Sequence, residues 1–262
     1  MVPKLYFCLP MRDAVADILL DWYDLHGRDL PWRRTRDPYR IWLSEVILQQ
    51  TRVAQGLGYY LRFTERFPDV ASLAAASEEE VLRLWEGLGY YSRARHVLAA
   101  ARLIMEKHKG VFPSGLEDIR ALPGVGPYTA GAVASIAFGE KLPCVDANVE
   151  RVVARVFDLD GPVKQEPTAS AVRAWALRLV PEGRAREHNQ AMMELGAVVC
   201  VPNGAAKCEE CPLGHFCLAR KHGTVEELPV KAPKKARTIE QRTVLVIQDG
   251  AGTAIRKRPD TG

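Results

Sequence analysis

The sequence predicts an all-α protein over its first 220 residues. Alanine is abundant, and apolar residues recur at the three- and four-residue spacing that gives a helix one buried face. The chain has 262 residues, 47% of them hydrophobic, which suffices for one large domain or two smaller ones with their own cores. A formal net charge of +4 permits a polyanionic partner without requiring one.

Helix starts are marked by capping signals. A Ser or Asp side chain can accept a hydrogen bond from the free N–H groups of a first turn, and proline fits the first helical position. Such signals occur at Asp37 with Pro38, Ser77 with Glu80, Ser114 with Glu117, and Pro127. Together with the apolar spacing, they predict helices that include residues 13–25, 38–51, 92–109, 147–158, 168–180 and 185–200.

The stretch LPGVGPYTAGA places two glycines between two helix-competent segments. Gly124 and Gly126 allow a tight turn whose backbone N–H groups point outward at the start of the helix that Pro127 opens. Such a helix start binds a phosphate without a side-chain charge. An ordinary helix–turn–helix corner has the same pattern, so the glycines alone do not decide between the two.

Four of the six cysteines fall within residues 200–217, with the spacing C-x7-C-x2-C-x5-C. Four thiolates clustered in a chain otherwise poor in cysteine indicate a metal site rather than a disulfide framework. The spacing suits either an iron–sulfur cluster or a structural zinc ion. Basic residues next to the cysteines would present positive charge to a phosphate backbone.

Two carboxylates have both a functional and a purely structural interpretation. Glu45 lies among apolar residues, where burial would raise its pKa. Alternatively it shares one polar helix stripe with Gln49 and Arg52 and pairs with one of them. Asp146 stands where a helix begins, and an ordinary N-cap would explain it. Taken singly, each residue favours the structural interpretation.

The C-terminal part of the chain has a different composition. Residues 222–237 are rich in Lys, Pro and Glu, which indicates a linker. The tail RTVLVIQDGAGTAIRKRP is rich in strand-forming residues, and its Asp249-Gly250 turn signal predicts one β-hairpin. Because a lone hairpin cannot bury a core, we expect it to be the first piece of a further domain.

The sequence predicts neither a membrane-spanning helix nor a signal peptide. No apolar run reaches the roughly 18 residues that a spanning helix needs. The opening MVPKLYFCLP has a single lysine and no cleavage-type ending, and a cleaner amphipathic segment starts at Met11. We therefore expect a cytoplasmic protein without a membrane partner, whose first ten residues are an upstream extension.

Several of these motifs together resemble one family. LPGVGPYTAGA is similar to the helix–hairpin–helix of the endonuclease III superfamily of DNA glycosylases, VDANVERV to its catalytic-aspartate segment, and the four-cysteine loop to its iron–sulfur loop. Three further segments resemble the MutY-type adenine DNA glycosylases within that superfamily. They are DLPWRRTRDPYRIWLSEVILQQT, WEGLGYYSRAR and HNQAMMELGAVVC.

The resemblance implies an all-α helix–hairpin–helix DNA glycosylase fold. A six-helix domain would span residues 30–142, and an iron–sulfur cluster domain would combine residues 11–29 and 143–222. A linker would cover residues 223–238. Residues 239–262 would be the truncated start of a C-terminal pyrophosphohydrolase-like domain, whose loss would weaken discrimination for 8-oxoguanine. The family also implies a monomer with one [4Fe-4S] cluster.

The implied activity is removal of adenine mispaired with 8-oxoguanine or guanine in double-stranded DNA. Glu45 would protonate the adenine ring, and Asp146, supported by Asn148, would stabilise the positive charge on the sugar. Members that also cut the backbone carry a lysine nucleophile where this chain has Tyr128. The resemblance therefore implies base removal without a strong lyase step, with Tyr128 positioning or stabilising the sugar intermediate.

The resemblance also assigns the binding residues. The adenine pocket would contain Trp32, Arg33 and Gln190. The side facing the opposing guanine would contain Gln50, Thr51, Leu88 and Tyr90, with Tyr90 as a wedge in the base stack. The DNA backbone would contact Gly124, Val125 and Gly126. The cluster ligands would be Cys200, Cys208, Cys211 and Cys217. The glycines that flank Leu88 predict an exposed corner, whereas Tyr91 is expected in the core.

Two other functions stay open. Tyr128 and the helix that bears Glu45 disfavour an endonuclease III-like glycosylase/lyase for oxidised pyrimidines. The joint presence of Glu45 and Asp146 disfavours a non-catalytic helix–hairpin–helix DNA-binding module held together by zinc.

The sequence departs from the family in the cysteine loop, where VPNGAAK is one residue longer than the usual spacer between the first two cysteines.

Overall fold

A computed structural model describes residues 9–202, 204, 206–233, 248–249 and 252–253. Within these residues the chain is helical apart from one pair of two-residue strands, which confirms the all-α fold class. The helices are α1 (Leu9–His26), a 3-10 turn (Pro31–Arg33), α2 (Pro38–Ile47), α3 (Val53–Arg66), α4 (Val70–Ala74), α5 (Glu78–Trp85), α6 (Ser92–His108), α7 (Leu116–Arg120), α8 (Pro127–Phe138), α9 (Ala147–Val156), α10 (Thr168–Leu179), α11 (Ala185–Val198) and α12 (Leu218–His222).

Three of the predicted helix starts are confirmed. The Asp37 and Ser77 side chains each accept a hydrogen bond from a backbone N–H of the first turn, and Pro127 occupies the first position of α8. Helix α7 differs, because its N-cap is Gly115 and has no side-chain hydrogen bond. The cap predicted at Ser114 is therefore wrong, since α7 starts one residue too late for this side chain to serve as its N-cap.

Helix α2 ends at Ile47, about one turn earlier than predicted. A turn follows, in which Gln50 adopts a left-handed φ of 57°, before α3 begins. The polar stripe predicted for Glu45, Gln49 and Arg52 is therefore wrong, because Gln49 and Arg52 lie beyond the end of α2.

The helical part of the chain contains two clusters of buried apolar side chains. The first lies in α2 to α8 and is centred on large aromatic residues such as Trp42 and Trp85. The second combines α1 with α9, α10 and α11, and in it Phe157 stacks on Trp175 with 4.1 Å between ring centroids. Each cluster is large enough to stabilise its own group of helices.

Helix α11 joins the two clusters. Its Leu195 is buried in the second cluster, whereas the Asn189 side chain reaches towards the first. The Asn189 amide donates hydrogen bonds to Ser135 Oγ on α8 and to the Leu142 carbonyl, and it accepts one from the Cys144 N–H. These bonds satisfy buried polar groups and fix α11 against α8.

The beginning of the predicted linker packs on the helical body. Leu228 is buried, and its carbonyl accepts a hydrogen bond from Arg155. In a separate unit, Pro233–Gly262, the strands β1 (Gln248–Asp249) and β2 (Gly252–Thr253) pair antiparallel, as the predicted hairpin requires. Asp249, which was predicted in the turn, instead belongs to β1 and pairs with Gly252. The rest of the predicted linker and hairpin, and most of the predicted N-terminal extension, lie outside the described residues. Among the helices described, none is both long and apolar enough to cross a membrane.

Candidate active site

A cavity of about 340 Å³ opens between α2, α8, α9 and α11. Its size falls within the roughly 300–1,000 Å³ of small-molecule sites. Apolar side chains share its lining with carboxylate, amide and guanidinium groups. The structure brings together nine of the predicted catalytic and binding residues at this cavity: Trp32, Arg33, Glu45, Gln50, Thr51, Tyr128, Asp146, Asn148 and Gln190.

Glu45 lies on α2 and meets the phenol of Tyr128, whose Oη donates a hydrogen bond to Glu45 Oε2 at 3.0 Å. Burial raises the pKa of Glu45 to about 7. The hydrogen bond from Tyr128 opposes this increase, and the negative charge of Asp146 adds to it. Near neutral pH, much of Glu45 is therefore a neutral carboxylic acid at the cavity rather than a charged member of a polar helix stripe.

Tyr128 stands in the first turn of α8, and its hydroxyl also lies 3.5 Å from the Met193 sulfur. Burial raises its pKa well above the usual value, and the neighbouring Glu45 and Asp146 contribute in the same direction. The phenol therefore stays protonated at neutral pH. It can donate a hydrogen bond but cannot act as an amine nucleophile.

Asp146 is the N-cap of α9, as its position in the sequence indicates. Its Oδ1 accepts hydrogen bonds from the backbone N–H groups of Asn148 and Val149, at 2.9 and 2.8 Å. Its Oδ2 accepts one from the Asn148 side-chain amide at 2.7 Å. Burial raises the pKa of Asp146, and these three hydrogen bonds oppose the increase because they stabilise the carboxylate.

Asn148 is itself held in place from two sides. Arg151 donates a hydrogen bond to Asn148 Oδ1 at 2.9 Å. From the opposite helix, α11 approaches so closely that a Cβ on Gly196 would lie 2.5 Å from the Asn148 Cβ. Only glycine permits this approach.

An ion network forms one wall of the cavity, and sequence reasoning missed most of it. The carboxylate of Glu194, with its side chain fully buried, accepts hydrogen bonds from Arg28 Nε at 2.6 Å and Arg33 Nη2 at 2.6 Å. Although burial alone would raise the pKa of Glu194, these bonds hold it at about 2. The charged carboxylate thereby fixes Arg33 at the cavity.

The missed residues share a helix face with a predicted one. Gln190, Met193, Glu194 and Ala197 line the cavity from α11 at the i, i+3, i+4 and i+7 positions of a helix face. The Gln190 Oε1 accepts a hydrogen bond from the Tyr23 hydroxyl at 2.9 Å. The helical spacing from Gln190 could have identified Glu194 in the sequence.

The two central carboxyl groups have different environments. Glu45 is buried and accepts one hydrogen bond, from a phenol, whereas Asp146 accepts three hydrogen bonds at a helix N-terminus. Such a difference separates the roles of two carboxyl groups, one as proton donor and one as anion. The cavity can therefore protonate a leaving group and stabilise positive charge, the two requirements for cleaving a glycosidic bond.

The predicted wedge lies at a corner outside the cavity. Tyr90 is 62% exposed and has a left-handed φ of 49°, between Gly89 and Tyr91. Leu88, however, is buried in the first cluster, so the corner is not exposed throughout as predicted. The core position predicted for Tyr91 is wrong, because this side chain is 41% exposed.

The turn of the helix–hairpin–helix lies between α7 and α8. Gly124 has a φ of 73°, and an added Cβ would lie 2.6 Å from the His96 Cβ, so glycine is required here. The Val125 N–H donates to the Leu122 carbonyl at 3.1 Å, and the Val125 side chain is buried. The expectation that all backbone N–H groups point outward is therefore wrong at Val125, since its amide closes the turn.

The four clustered cysteines surround one small cavity next to α9. Burial raises the pKa of the Cys211 thiol to about 12, and the other three sulfurs add to the increase because like charges would lie close together. Arg155 donates a hydrogen bond to the Cys200 sulfur at 3.2 Å. Among the described residues, no three His, Cys, Asp or Glu side chains converge closely enough for a single metal ion.

Comparisons with known proteins identify relatives of this chain. Residues 43–181 match the family described as "HhH-GPD superfamily base excision DNA repair protein". The human adenine DNA glycosylase is 44% identical over 82% of this chain and 41% of its own length. The adenine DNA glycosylase of Mycolicibacterium smegmatis is 36% identical over 92% of this chain and 83% of its own.

Among solved structures, a thermostable thymine-DNA glycosylase is 30% identical, with a TM-score of 0.72, over 80% of this chain and 97% of its own. A non-covalent endonuclease III–DNA complex, 23% identical with a TM-score of 0.66, shares the fold. The chain belongs to the HhH-GPD superfamily of base excision DNA repair proteins and, within it, to the adenine DNA glycosylase family. It spans less than half the length of the human and rat relatives.

Proposed function

We propose that the protein is a monofunctional adenine DNA glycosylase. It excises adenine mispaired with 8-oxoguanine or guanine from double-stranded DNA and hydrolyses the N-glycosidic bond. The observation that carries the proposal is the contact between Glu45 and Tyr128 at the cavity that Asp146 also lines. The adenine DNA glycosylases among its relatives support adenine as the base removed.

In the proposed mechanism, Glu45 gives its proton to the adenine ring, because its raised pKa keeps it protonated near neutral pH. As the bond to the sugar breaks, Asp146 stabilises the oxocarbenium-like charge, and a water molecule then adds to the anomeric carbon and gives its proton to the Glu45 carboxylate, which leaves an abasic sugar and restores the acid. Asn148 keeps the Asp146 carboxylate oriented. Tyr128 holds the Glu45 carboxyl group and, lacking an amine, forms no Schiff base with the sugar.

The target base must leave the duplex before it can enter the cavity. We assign Trp32, Arg33 and Gln190 to the adenine pocket, and their position in the cavity lining supports this assignment. On the side of the opposing base we assign Gln50, Thr51, Leu88 and the wedge Tyr90. Contacts with the DNA backbone are assigned to the Gly124–Val125–Gly126 turn at the start of α8.

A strand-cleavage assay tests this function. A labelled duplex with adenine opposite 8-oxoguanine is incubated with the protein and analysed with and without hot alkali. We expect breaks only after alkali, because base removal without lyase action leaves an intact abasic strand. Breaks without alkali would instead indicate a glycosylase/lyase. The absence of breaks in both conditions would contradict glycosylase activity for this chain.

We also propose that Cys200, Cys208, Cys211 and Cys217 hold one [4Fe-4S] cluster. Four sulfurs around one cavity, with Arg155 next to Cys200, provide thiolate ligands and a compensating positive charge. The cluster would fix the loop that carries Lys207, Arg220 and Lys221, which could then face the DNA backbone. Metal analysis of the purified protein should find about four iron and four sulfide per chain. Stoichiometric zinc would contradict the assignment.

The remaining assignments follow from this function. We propose that the protein acts as a monomer in the cytoplasm on DNA, without a membrane partner. The first apolar cluster would correspond to a six-helix domain over residues 30–142, and the second to a cluster domain over residues 11–29 and 143–222.

A further inference from the structure

Two residues assigned to DNA recognition have unusual backbone conformations. Gln50 has a φ of 57° and Tyr90 a φ of 49°, both in the left-handed region. A non-glycine residue adopts this region at a cost and keeps it only where surrounding contacts enforce it. The two residues lie far apart in sequence, on the turn after α2 and on the turn before α6, yet a single side chain contacts both turns.

That side chain is Arg93, in the first turn of α6. Its Nη1 donates a hydrogen bond to the Gln49 carbonyl at 2.7 Å and another to the Val46 carbonyl at 2.9 Å. Its Nη2 lies 3.4 Å from the Gly89 carbonyl. The guanidinium also lies 5.6 Å from the centroid of the Tyr90 ring.

The bonded carbonyls have a specific position. The Gln49 carbonyl belongs to the peptide group that precedes Gln50, and the Gly89 carbonyl to the peptide group that precedes Tyr90. The orientation of the preceding peptide plane relative to a residue is what φ measures. Arg93 therefore contacts both left-handed residues through the peptide planes that define their conformation, and Trp85 Nε1 donates a second hydrogen bond, at 3.1 Å, to the Gly89 carbonyl.

We propose that Arg93 is a positioning residue that sets Gln50 and Tyr90 together for recognition of the mispair. Arginine suits this role because its planar fork directs several donors to separate acceptors, whereas lysine has one compact ammonium group. The inference rests on the proposed function, in which Gln50 and Tyr90 contact DNA. Arg93 itself is half-buried and acts through these two residues.

The first test is independent of DNA. Arg93→Met should accelerate amide hydrogen exchange in the two turns, around residues 48–51 and 88–91, while α9 keeps its protection. Arg95→Met is the matched control, because Arg95 lies on the same helix but its side chain is exposed and pairs with Glu78. If both variants exchange alike, Arg93 does not hold the turns. Arg93→Lys serves the same comparison if Arg93→Met does not fold.

The second test measures the affinity of each variant for a duplex with a non-cleavable adenine analogue opposite 8-oxoguanine. The affinity is corrected for the fraction of the protein that is able to bind DNA. Arg93→Met should weaken binding about tenfold or more, and in the Gln50→Ala, Tyr90→Ala background it should have little further effect. Arg93→Lys should bind the duplex nearly as weakly as Arg93→Met, and the pH dependence of excision should not change.

Three outcomes would overturn the inference: an equal loss of affinity in Arg95→Met, full recovery of affinity in Arg93→Lys, or an undiminished effect of Arg93→Met in the double-variant background. If the wild-type chain does not excise adenine, the proposed function fails, and the exchange experiment shows whether Arg93 still holds the turns.

Discussion

At the scale of the single residue, the protonation state of Glu45 decides whether the cavity contains an acid. A carboxyl group with an ordinary pKa would be almost fully ionised at neutral pH and could not protonate a leaving base. Burial of the Glu45 side chain raises its pKa to about 7, so the acid form persists up to neutral pH. The burial of Glu45 thus supplies what the proposed chemistry needs.

The pH dependence of base release follows from this value. Single-turnover excision should be lost as pH rises through about 7 and should approach a decrease of about tenfold per pH unit above it, because only protonated Glu45 reacts. Glu45→Gln should slow excision by about 10²- to 10⁴-fold and leave duplex binding unchanged. A wild-type rate that stays constant between pH 6 and pH 9 would exclude Glu45 as the acid.

Removal of the Tyr128 hydroxyl should shift that pH dependence upward. The hydrogen bond from Tyr128 lowers the pKa of Glu45 because it stabilises the carboxylate, so its loss favours the protonated form. In Tyr128→Phe, the alkaline decrease in excision rate should move to higher pH by about 0.5–1 unit. Rates measured over the same pH series test this. A shift to lower pH would mean that the phenol stabilises the neutral acid instead.

At the scale of the helix, the sequence correctly predicted the helix starts that are fixed by contacts between neighbouring residues. The Asp146 N-cap and the start of α8 at Pro127 depend on neighbouring residues, and both are where the sequence places them. The end of α2 was predicted wrongly because no glycine or proline marks it. Its last carbonyls, of Val46 and Ile47, are bound instead by Arg93, more than 40 residues away in the chain, a contact that no local pattern reveals.

The hairpin offers a test that separates two glycines in one turn. Gly124→Ala should destabilise the protein by about 1–3 kcal/mol, because the residue needs a φ of 73° and its new Cβ would meet His96. Gly126→Ala should change stability by less than about 0.5 kcal/mol, because Gly126 has a negative φ and free space around it. Urea unfolding of both variants measures the difference. Equal stabilities would show that the turn can rearrange around Gly124.

At the scale of the whole molecule, the cavity lies where the two apolar clusters meet. Glu45 and Tyr128 come from helices of the first cluster, and Asp146 and Glu194 from helices next to the second. The sequence motifs indicated most of these residues, but they did not predict which of them contact one another. Arg28 and Arg33 are more than 160 positions away from Glu194 in the chain, so only the folded structure shows that they bind one carboxylate.

Glu194 should therefore stabilise the whole fold as well as the cavity wall. Glu194→Gln leaves two guanidinium groups without a charged partner, and we expect a loss of about 3 kcal/mol at neutral pH, measured as a lower urea midpoint. Because the folded pKa of about 2 lies below the unfolded value of 4.5, this contribution is complete above pH 4.5 and is lost as pH falls towards 2. The difference in the free energy of unfolding between wild type and variant should shrink over the same pH range.

Glu187→Gln, on an exposed part of α11, is the control and should cost less than about 1 kcal/mol at any pH. Equal losses in the two variants would mean that the buried carboxylate contributes no more than a surface charge.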